Sequence, residues 1–465
     1  MDINNPIWNI TEPQVQDNSI EKYDFYEIRE QNVNVRDLKK YEFICKDTGN
    51  YILPSQSYLH LRFKVIKADG SDISDATDNV TVSNNGFNLF SSAEYEIDKT
   101  KIEQIDHLGI KTLVENLVDY SDDYSKSTAS NQFWFPDTAD SADRKMLNYW
   151  GGDEDLEVDA TTNLPKLKSD RIKSFLNYIR ENKEFNKGYL ARYILTKKSK
   201  VVSLFLPLNR IFGFCKYINR VFVGVQHTLR FTKNDVNNAI VTSDNGPYDV
   251  SIEHLSLFMA YAQPSLATKV QLEKILASNR EMELLWLAGQ VYRSEVRDDK
   301  DLVWKITTTQ FNPVRLYVMF QIEQRENNPK SCNMVFDHMN LKSISAVLND
   351  NLRFPSNEYE CNFEAESLDY ARVYQSFLSA GYKNVDHDTG TIVSYQDFMR
   401  LYPIFHVDLS RKPENLFESR NTVDIGLKVK LGNYWTNKYR IYCLLLSERK
   451  AILNPTDQRT IISVR

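Results

Sequence analysis

Three groups of residues have types and spacings that invite a chemical role. The first is Asp386-His387-Asp388-Thr389-Gly390-Thr391-Ile392 with Asp397 downstream, which superficially matches a calcium-binding EF-hand loop. Such a loop needs oxygen ligands at positions 1, 3 and 5, glycine at 6, an aliphatic at 8 and a bidentate glutamate at 12. Counted from Asp386, Gly390 falls at 5, Ile392 at 7, and the last ligand is the shorter Asp397. Asp386, Asp388 and Asp397 therefore read as a weak decoy, a polar turn between helix and strand, and no metal or cofactor is expected. The second group is the 7 histidines. None lies in an HExxH or HxH pattern, and no GxSxG or Walker loop accompanies them, so no enzymatic chemistry is expected. His227 shares a face with Val225 and Leu229 and reads as a hydrogen-bonded core histidine; His254, beside Glu253, reads the same way. The third group is Arg192, Lys197, Lys198 and Lys200 with Tyr193 interleaved, the densest basic cluster. It is a solvated strand end, or a place for nucleic-acid or neighbour contact without sequence readout. Arg449, Lys450, Arg459 and Arg465 near the end of the chain are candidates for the same role.

The elements that would position these groups are set by composition first. With 465 residues and 42% hydrophobic content the chain has material for two domains. The 26 Tyr and 24 Phe against 15 Gly and 14 Pro favour packed strands over linker sequence. The 5 cysteines (Cys45, Cys215, Cys332, Cys361, Cys443) are scattered without a CxxC and read as free thiols of a reducing compartment. No apolar run reaches the length of a membrane span, and MDINNPIWNI does not read as a secretion signal. The net charge of -6 argues against broad nucleic-acid affinity. It is concentrated: residues 119–159 hold 11 carboxylates against Lys126, Arg144 and Lys145, a balance of -8 that leaves the rest at +2. That stretch reads as a solvated excursion from the fold.

Residues 1–36 carry seven acidic and three basic residues, a balance of -4, and show no sustained period, so they read as an N-terminal arm. Tyr41 to Lys46 is a strand. Leu59, Leu61, Phe63 and Val65 then alternate with His60, Arg62 and Lys64, as in a half-buried antiparallel strand. Two short strands flank Lys99-Thr100, and helical spacing covers Ile105 to Asp119 and about Arg171 to Asn182. Strands are expected at Tyr189–Leu195, Val201–Leu206, Val221–Phe231 and Val250–Tyr261, and a connecting helix at Ala267–Ser278. The second half repeats the outline, with strands at Leu284–Tyr292, Leu302–Thr308 and Leu316–Ile322, and a helix near Asp369–Ala380. Strands follow at Val423–Leu431, in clean alternation, and at Tyr439–Ser447, nearly continuously apolar. The chain is therefore expected to be all-β with short inserted helices: two consecutive jelly-roll β-sandwich barrels, a double jelly roll. The divisions are an arm at 1–36, a first jelly roll at 37–263 with the acidic insertion at about 119–169, a linker helix at 264–280 and a second jelly roll at 281–465.

Pro54-Ser55-Gln56-Ser57-Tyr58-Leu59-His60-Leu61-Arg62-Phe63-Lys64-Val65 resembles the early strand of the major capsid proteins of Polinton/Maverick elements and adintoviruses. The segment Gly86 to Asp98 leading into a helix, and the segments Leu206 to Gly213 and Val221 to Phe231, resemble later parts of the same first barrel. The resemblance covers residues 38–263 in pattern and is architectural beyond. Where relatives often have a glycine-containing turn, this chain has Lys99-Thr100. The resemblance implies a structural subunit of a virion capsid, made in the host cytoplasm and not secreted. It implies a homotrimer of pseudo-hexagonal outline that tiles an icosahedral shell around double-stranded DNA. Its expected partners are itself, a minor capsid or penton protein, and packaged DNA through weak non-specific contact. A second reading is a lectin-like carbohydrate-binding protein of two β-sandwiches, which exposed tryptophans near Trp134 and Trp150 would favour.

Overall fold

The fold is given by a computed structural model, which describes the chain apart from residues 1–18, 31–37, 47–48, 75–76, 141–155, 159–164, 168–185, 279–280, 297–299, 382–390, 411–421, 433–437, 454–460 and 465. Sixteen strands build two sandwiches. The first uses β1 (Ile20–Arg29), β2 (Lys40–Cys45), β3 (Tyr51–Lys67), β4 (Phe90–Ile97), β5 (Thr100–Asp106), β6 (Val202–Pro207), β7 (His227–Lys233) and β8 (Tyr248–Pro264). The second uses β9 (Met282–Val296), β10 (Asp301–Gln310), β11 (Pro313–Ile322), β12 (Leu341–Leu348), β13 (Leu352–Glu360), β14 (Phe405–Asp408), β15 (Val423–Leu431) and β16 (Tyr439–Leu453). The sheets of the first run β1-β8-β3-β6 and β2-β7-β4-β5; those of the second run β9-β16-β11-β14 and β10-β15-β12-β13. Each strand of the second sandwich thus occupies the place of the strand eight earlier, and all these pairings are antiparallel. Two facing sheets with four strands in this order are a jelly roll, and the chain holds two; in the second, Ile461–Val464 adds a fifth strand by pairing with β16.

The expected alternations position the cores. Leu59, Leu61, Phe63 and Val65 are fully buried in β3, as are Ile425 and Leu427 in β15. In β16 Ile441 to Leu445 are buried on both faces, which is why that strand reads as continuously apolar. The β4–β5 hairpin turns at Asp98 and Lys99, both left-handed (φ 47° and 67°), and the Asp98 carboxylate accepts a hydrogen bond from Gln226 N at 2.7 Å. This primed-type turn, which usually takes Asn-Gly or Gly-Gly, is here held by a long-range bond instead.

The structure corrects several expectations. Residues 1–36 are not all arm: β1 lies within them and pairs with β8, Phe25 opposite Ala260 and Ile28 opposite Leu257. Most of its side chains are exposed, so no buried face imposed an alternation. Tyr189–Leu195 is not a strand but part of helix α3 (Lys187–Thr196), following α1 (Leu108–Asp119) and α2 (Asp122–Lys126). Its buried residues Tyr189, Arg192, Tyr193 and Thr196 have helical spacing. Ile105 belongs to β5 rather than to a helix, and of the Val221–Phe231 stretch only residues 227–231 lie in a strand, β7. The helix expected at 171–182 lies outside the described residues. The linker helix is α6 (Leu266–Ala277), which follows the short helices α4 (Leu208–Ile211) and α5 (Gly213–Tyr217). Helices α7 (Ala371–Ala380) and α8 (Tyr395–Arg400) lie between β13 and β14, as α1 to α3 lie between β5 and β6. Helix α1 leaves the first sandwich and gives Leu113, Val114 and Leu117 to the second hydrophobic core.

Candidate functional site

The basic cluster separates in the structure. Arg192 is fully buried: its Nη2 donates to Asp137 at 2.7 Å, its Nε to Val82 O at 3.0 Å, and its Nη1 to Phe135 O. It is a structural cation that ties α3 to the strand 80–82 and the 135–137 loop, and it is not a surface contact for nucleic acid. Lys198 and Lys200 are exposed and Lys197 half-buried, in a left-handed turn after the helix (Lys198 φ 59°). Of the calcium-like group, Asp386 and Asp388 lie outside the described residues. Asp397 sits in the first turn of α8, where Ser394 Oγ accepts from Asp397 N at 3.1 Å and donates to Asp397 Oδ2 at 2.7 Å. That is a helix N-cap, so the residue expected to lead into a strand starts a helix instead. Near the chain end Arg449 donates to Ile102 O at 3.2 Å and Lys450 pairs with Glu283 at 2.6 Å; Arg459 and Arg465 lie outside the described residues.

The histidines differ from one another. His227 is fully buried, its Nδ1 2.8 Å from Tyr95 Oη, and burial pulls its pKa down to about 4. His406, buried under α7 beside Ser376, is likewise lowered to about 4 by burial. His254 departs from the core reading. It is half-buried on the outer face of β8, its ring 5.4 Å from that of His60, and burial with Arg62 and His60 lowers its pKa. Trp134, one of the two residues that an exposed sugar-binding surface would use, is 1% exposed and donates its indole N–H to Ser125 Oγ at 2.9 Å. Trp150 lies outside the described residues.

Two surfaces that sequence reasoning missed are equivalent in position and opposite in character. The outer face of sheet β9-β16-β11-β14 is closed at its centre, where Tyr317, Met319, Tyr442 and Leu444 are all buried, while Leu285 of β9 stays 60% exposed. A Cβ at Gly289 would meet Leu446 and Lys111 of α1, and Ser376 of α7 bonds to His406. The outer face of β1-β8-β3-β6 is open and carries a row of aromatic rings across all four strands. Tyr23 stacks edge-on to Phe25 (5.6 Å), Phe25 to Tyr58 (5.3 Å), and Tyr58 packs on Phe258 (5.0 Å) and Phe205 (4.2 Å). Tyr23 is 46% exposed, and none of Phe25, Tyr58, Phe205 and Phe258 belongs to either core. The available signal was that the polar-face positions 58 and 60 of β3 hold Tyr and His rather than charged residues.

A family profile described as the double jelly roll-like domain matches residues 153–451. The chain belongs to this family. Among solved structures, a chain of the Sputnik virophage determined by cryo-EM aligns with a TM-score of 0.56 at 12% identity, covering 100% of this chain and 92% of that one. The Faustovirus major capsid protein aligns at 0.52 and 8% identity, covering 95% and 92%. At such identities the likeness is one of fold. No curated protein matches by sequence.

Beside the apolar contacts of α1, a buried polar joint ties the two jelly rolls together. Glu103 of β5 is 2% exposed and accepts from Gly213 N (2.9 Å), Phe214 N (3.0 Å) and the indole N–H of Trp286 on β9 (2.8 Å). Burial pushes its carboxyl up to about 7, against the pull of Lys111 and Arg449. Gly213 is required there, because a Cβ would sit 1.9 Å from Leu287 O. Lys111 is buried alongside, donating to Ile211 O at 2.6 Å and pairing with Glu115 at 3.1 Å. All five cysteines are buried; burial raises the thiol of Cys361 to about 12 and those of Cys215, Cys332 and Cys443 well above the ordinary value.

Proposed function

We propose that the chain is a major capsid protein that closes into a homotrimer of pseudo-hexagonal outline and tiles an icosahedral shell around a double-stranded DNA genome. The observation that carries this reading is the repeated strand order. Two jelly rolls of one topology per chain give six similar lobes in a ring of three, and such a ring can meet six neighbours on a surface. Family membership and the fold shared with the Faustovirus major capsid protein support it. The reading assigns no residue a catalytic role. It places the protein in the virion, after synthesis in the host cytoplasm. Its partners are further copies of itself and a minor capsid or penton protein at the vertices. Any contact with packaged DNA is weak and salt-sensitive, through exposed cations such as Lys198 and Lys200. The relationship to Polinton elements and adintoviruses stays one of resemblance.

Light scattering on the purified chain, with negative-stain imaging of the same peak, tests the proposal. The expected result is a particle of three times the 54.2 kDa chain with a hexagonal outline, or closed shells. A monomer persisting at high concentration would overturn it.

A further inference from the structure

The seam between the two jelly rolls holds a small polar cavity of about 70 Å3, lined by His107 at the start of α1, by Ser91 and Asn234 of the first jelly roll and by Gln321 and Tyr442 of the second. A wider cleft of about 630 Å3 shares Ser91, His107 and Asn234 with it and gives solvent a way in. The charged group at this place is closed by the protein. Glu326 accepts from Arg293 at 2.7 and 2.9 Å and pairs with Arg440 at 2.7 Å. Asn238 of the first jelly roll and Asn327 of the second exchange two hydrogen bonds of 3.0 Å across the seam.

Three neutral groups are left open. Gln321 donates its amide hydrogens to Asn333 O (2.7 Å) and Val335 O (2.9 Å), which turns its side-chain oxygen Oε1 away from both. That oxygen, the Tyr442 hydroxyl and the His107 ring nitrogens have no hydrogen-bond partner among the described residues, although Gln321 and Tyr442 are only 3% and 2% exposed. None of these atoms is sealed, so each borders space that a water can reach. Burial pushes the Tyr442 hydroxyl up to about 12 and, with Arg293, holds His107 below its ordinary 6.5, so both are neutral near pH 7 and can donate as well as accept.

We infer that a fixed cluster of water molecules fills this cavity and joins the two jelly rolls through Tyr442, Gln321 and His107. Unpaired polar groups at such depth cost free energy that a bridging water recovers. One water needs roughly 10–15 Å3 of space for its centre and two to four polar partners, so the cavity takes more than one. Other guests fit less well. The guanidinium groups of Arg293 and Arg440 oppose a cation, the carboxylate of Glu326 opposes an anion, and an apolar molecule would leave all three groups unpaired. The inference does not depend on the trimer reading. It gives the joint a wet part beside the dry one at Glu103.

Two measurements on the full-length chain test it. A crystal or cryo-EM map that resolves ordered water is expected to show density within hydrogen-bond reach of Tyr442 Oη, Gln321 Oε1 and a His107 nitrogen. Tyr442→Phe keeps the ring and is expected to raise the unfolding equilibrium constant, read from urea titration, about fivefold to tenfold through loss of a water bridge. The sign is decisive, because deleting a dry, unpaired hydroxyl would leave stability unchanged or raise it. A map without ordered density in the cavity, or a Tyr442→Phe chain at least as stable as the wild type, overturns the inference.

Discussion

Sheets β1-β8-β3-β6 and β9-β16-β11-β14 share strand order and direction, yet the central strands of the second are buried on both faces and those of the first on one. The difference is in what each connection delivers. The excursion between β5 and β6 sends α1 across to the second jelly roll, whose strands can therefore be apolar throughout, as Ile441 to Leu445 are. Among the described residues the first jelly roll receives no such helix, and its outer positions are a compromise: Tyr, Phe and His, tolerable in water and able to be covered. A shared topology thus fixes where a face lies, and the neighbours decide whether it must be dry.

The sharpest way to break this comparison is to place a charge on each face of the diluted, monomeric chain. Leu444→Asp buries an unpaired carboxylate under α1 and is expected to cost more than about 4 kcal/mol, enough to prevent folding. Phe205→Asp on the open face is expected to cost about 1 kcal/mol, the worth of one ring pair. Urea unfolding midpoints check both, and equal losses would mean the first face is also covered within a single chain. Next in size, Asp137→Ala strands the buried guanidinium of Arg192 and is expected to cost about 3–5 kcal/mol by the same measurement.

Acid sharpens the comparison at the joint. The folded carboxyl of Glu103 sits at about 7, above the ordinary 4.5, so its contribution to stability is full below pH 4.5 and is lost as pH rises through 7. His227 and His406 are held near 4, below the ordinary 6.5, so their contributions are present above pH 6.5 and lost as pH falls towards 4. The two effects oppose one another between pH 7 and 4.5. Glu103→Gln removes the carboxyl and is expected to make stability fall more steeply on acidification. The change relative to wild type between pH 8 and pH 4 is on the order of 3 kcal/mol, read from urea midpoints across that range; parallel profiles would mean that Glu103 does not titrate there. The smallest effect is at the basic turn. Lys198→Glu with Lys200→Glu should shift stability by less than about 0.5 kcal/mol while weakening any retention on immobilised DNA at low salt.

Much of the fold was legible because alternation is a local signal. The strands β3, β15 and β16 announce themselves through residues two apart, and the order of elements followed from them. The edge strand β1 gave no such signal, since few of its side chains are buried. Helix α3 was misread as strand because Tyr189, Tyr193, Ile194 and Leu195 crowd apolar residues at mixed spacing, and only the burial of Arg192 and Thr196 shows the helical face. The sites were less legible for a different reason. Arg192 reads as one more surface cation until Asp137, 55 positions away, is brought to its side. Glu103 and Trp286, 183 positions apart, carry no local pattern at all. The aromatic row draws on four strands from Tyr23 to Phe258, so no window of sequence contains it.

The five buried cysteine thiols have a practical consequence for following assembly. Thiol reagents attack the thiolate; burial shields these sulfurs and keeps those of Cys215, Cys332, Cys361 and Cys443 protonated. The folded chain is therefore nearly silent to maleimide dyes, and one cysteine introduced at an exposed position of β3 would take up a fluorophore selectively. Its emission would then report, in real time and without disrupting the particle, when a neighbouring subunit excludes water from that face.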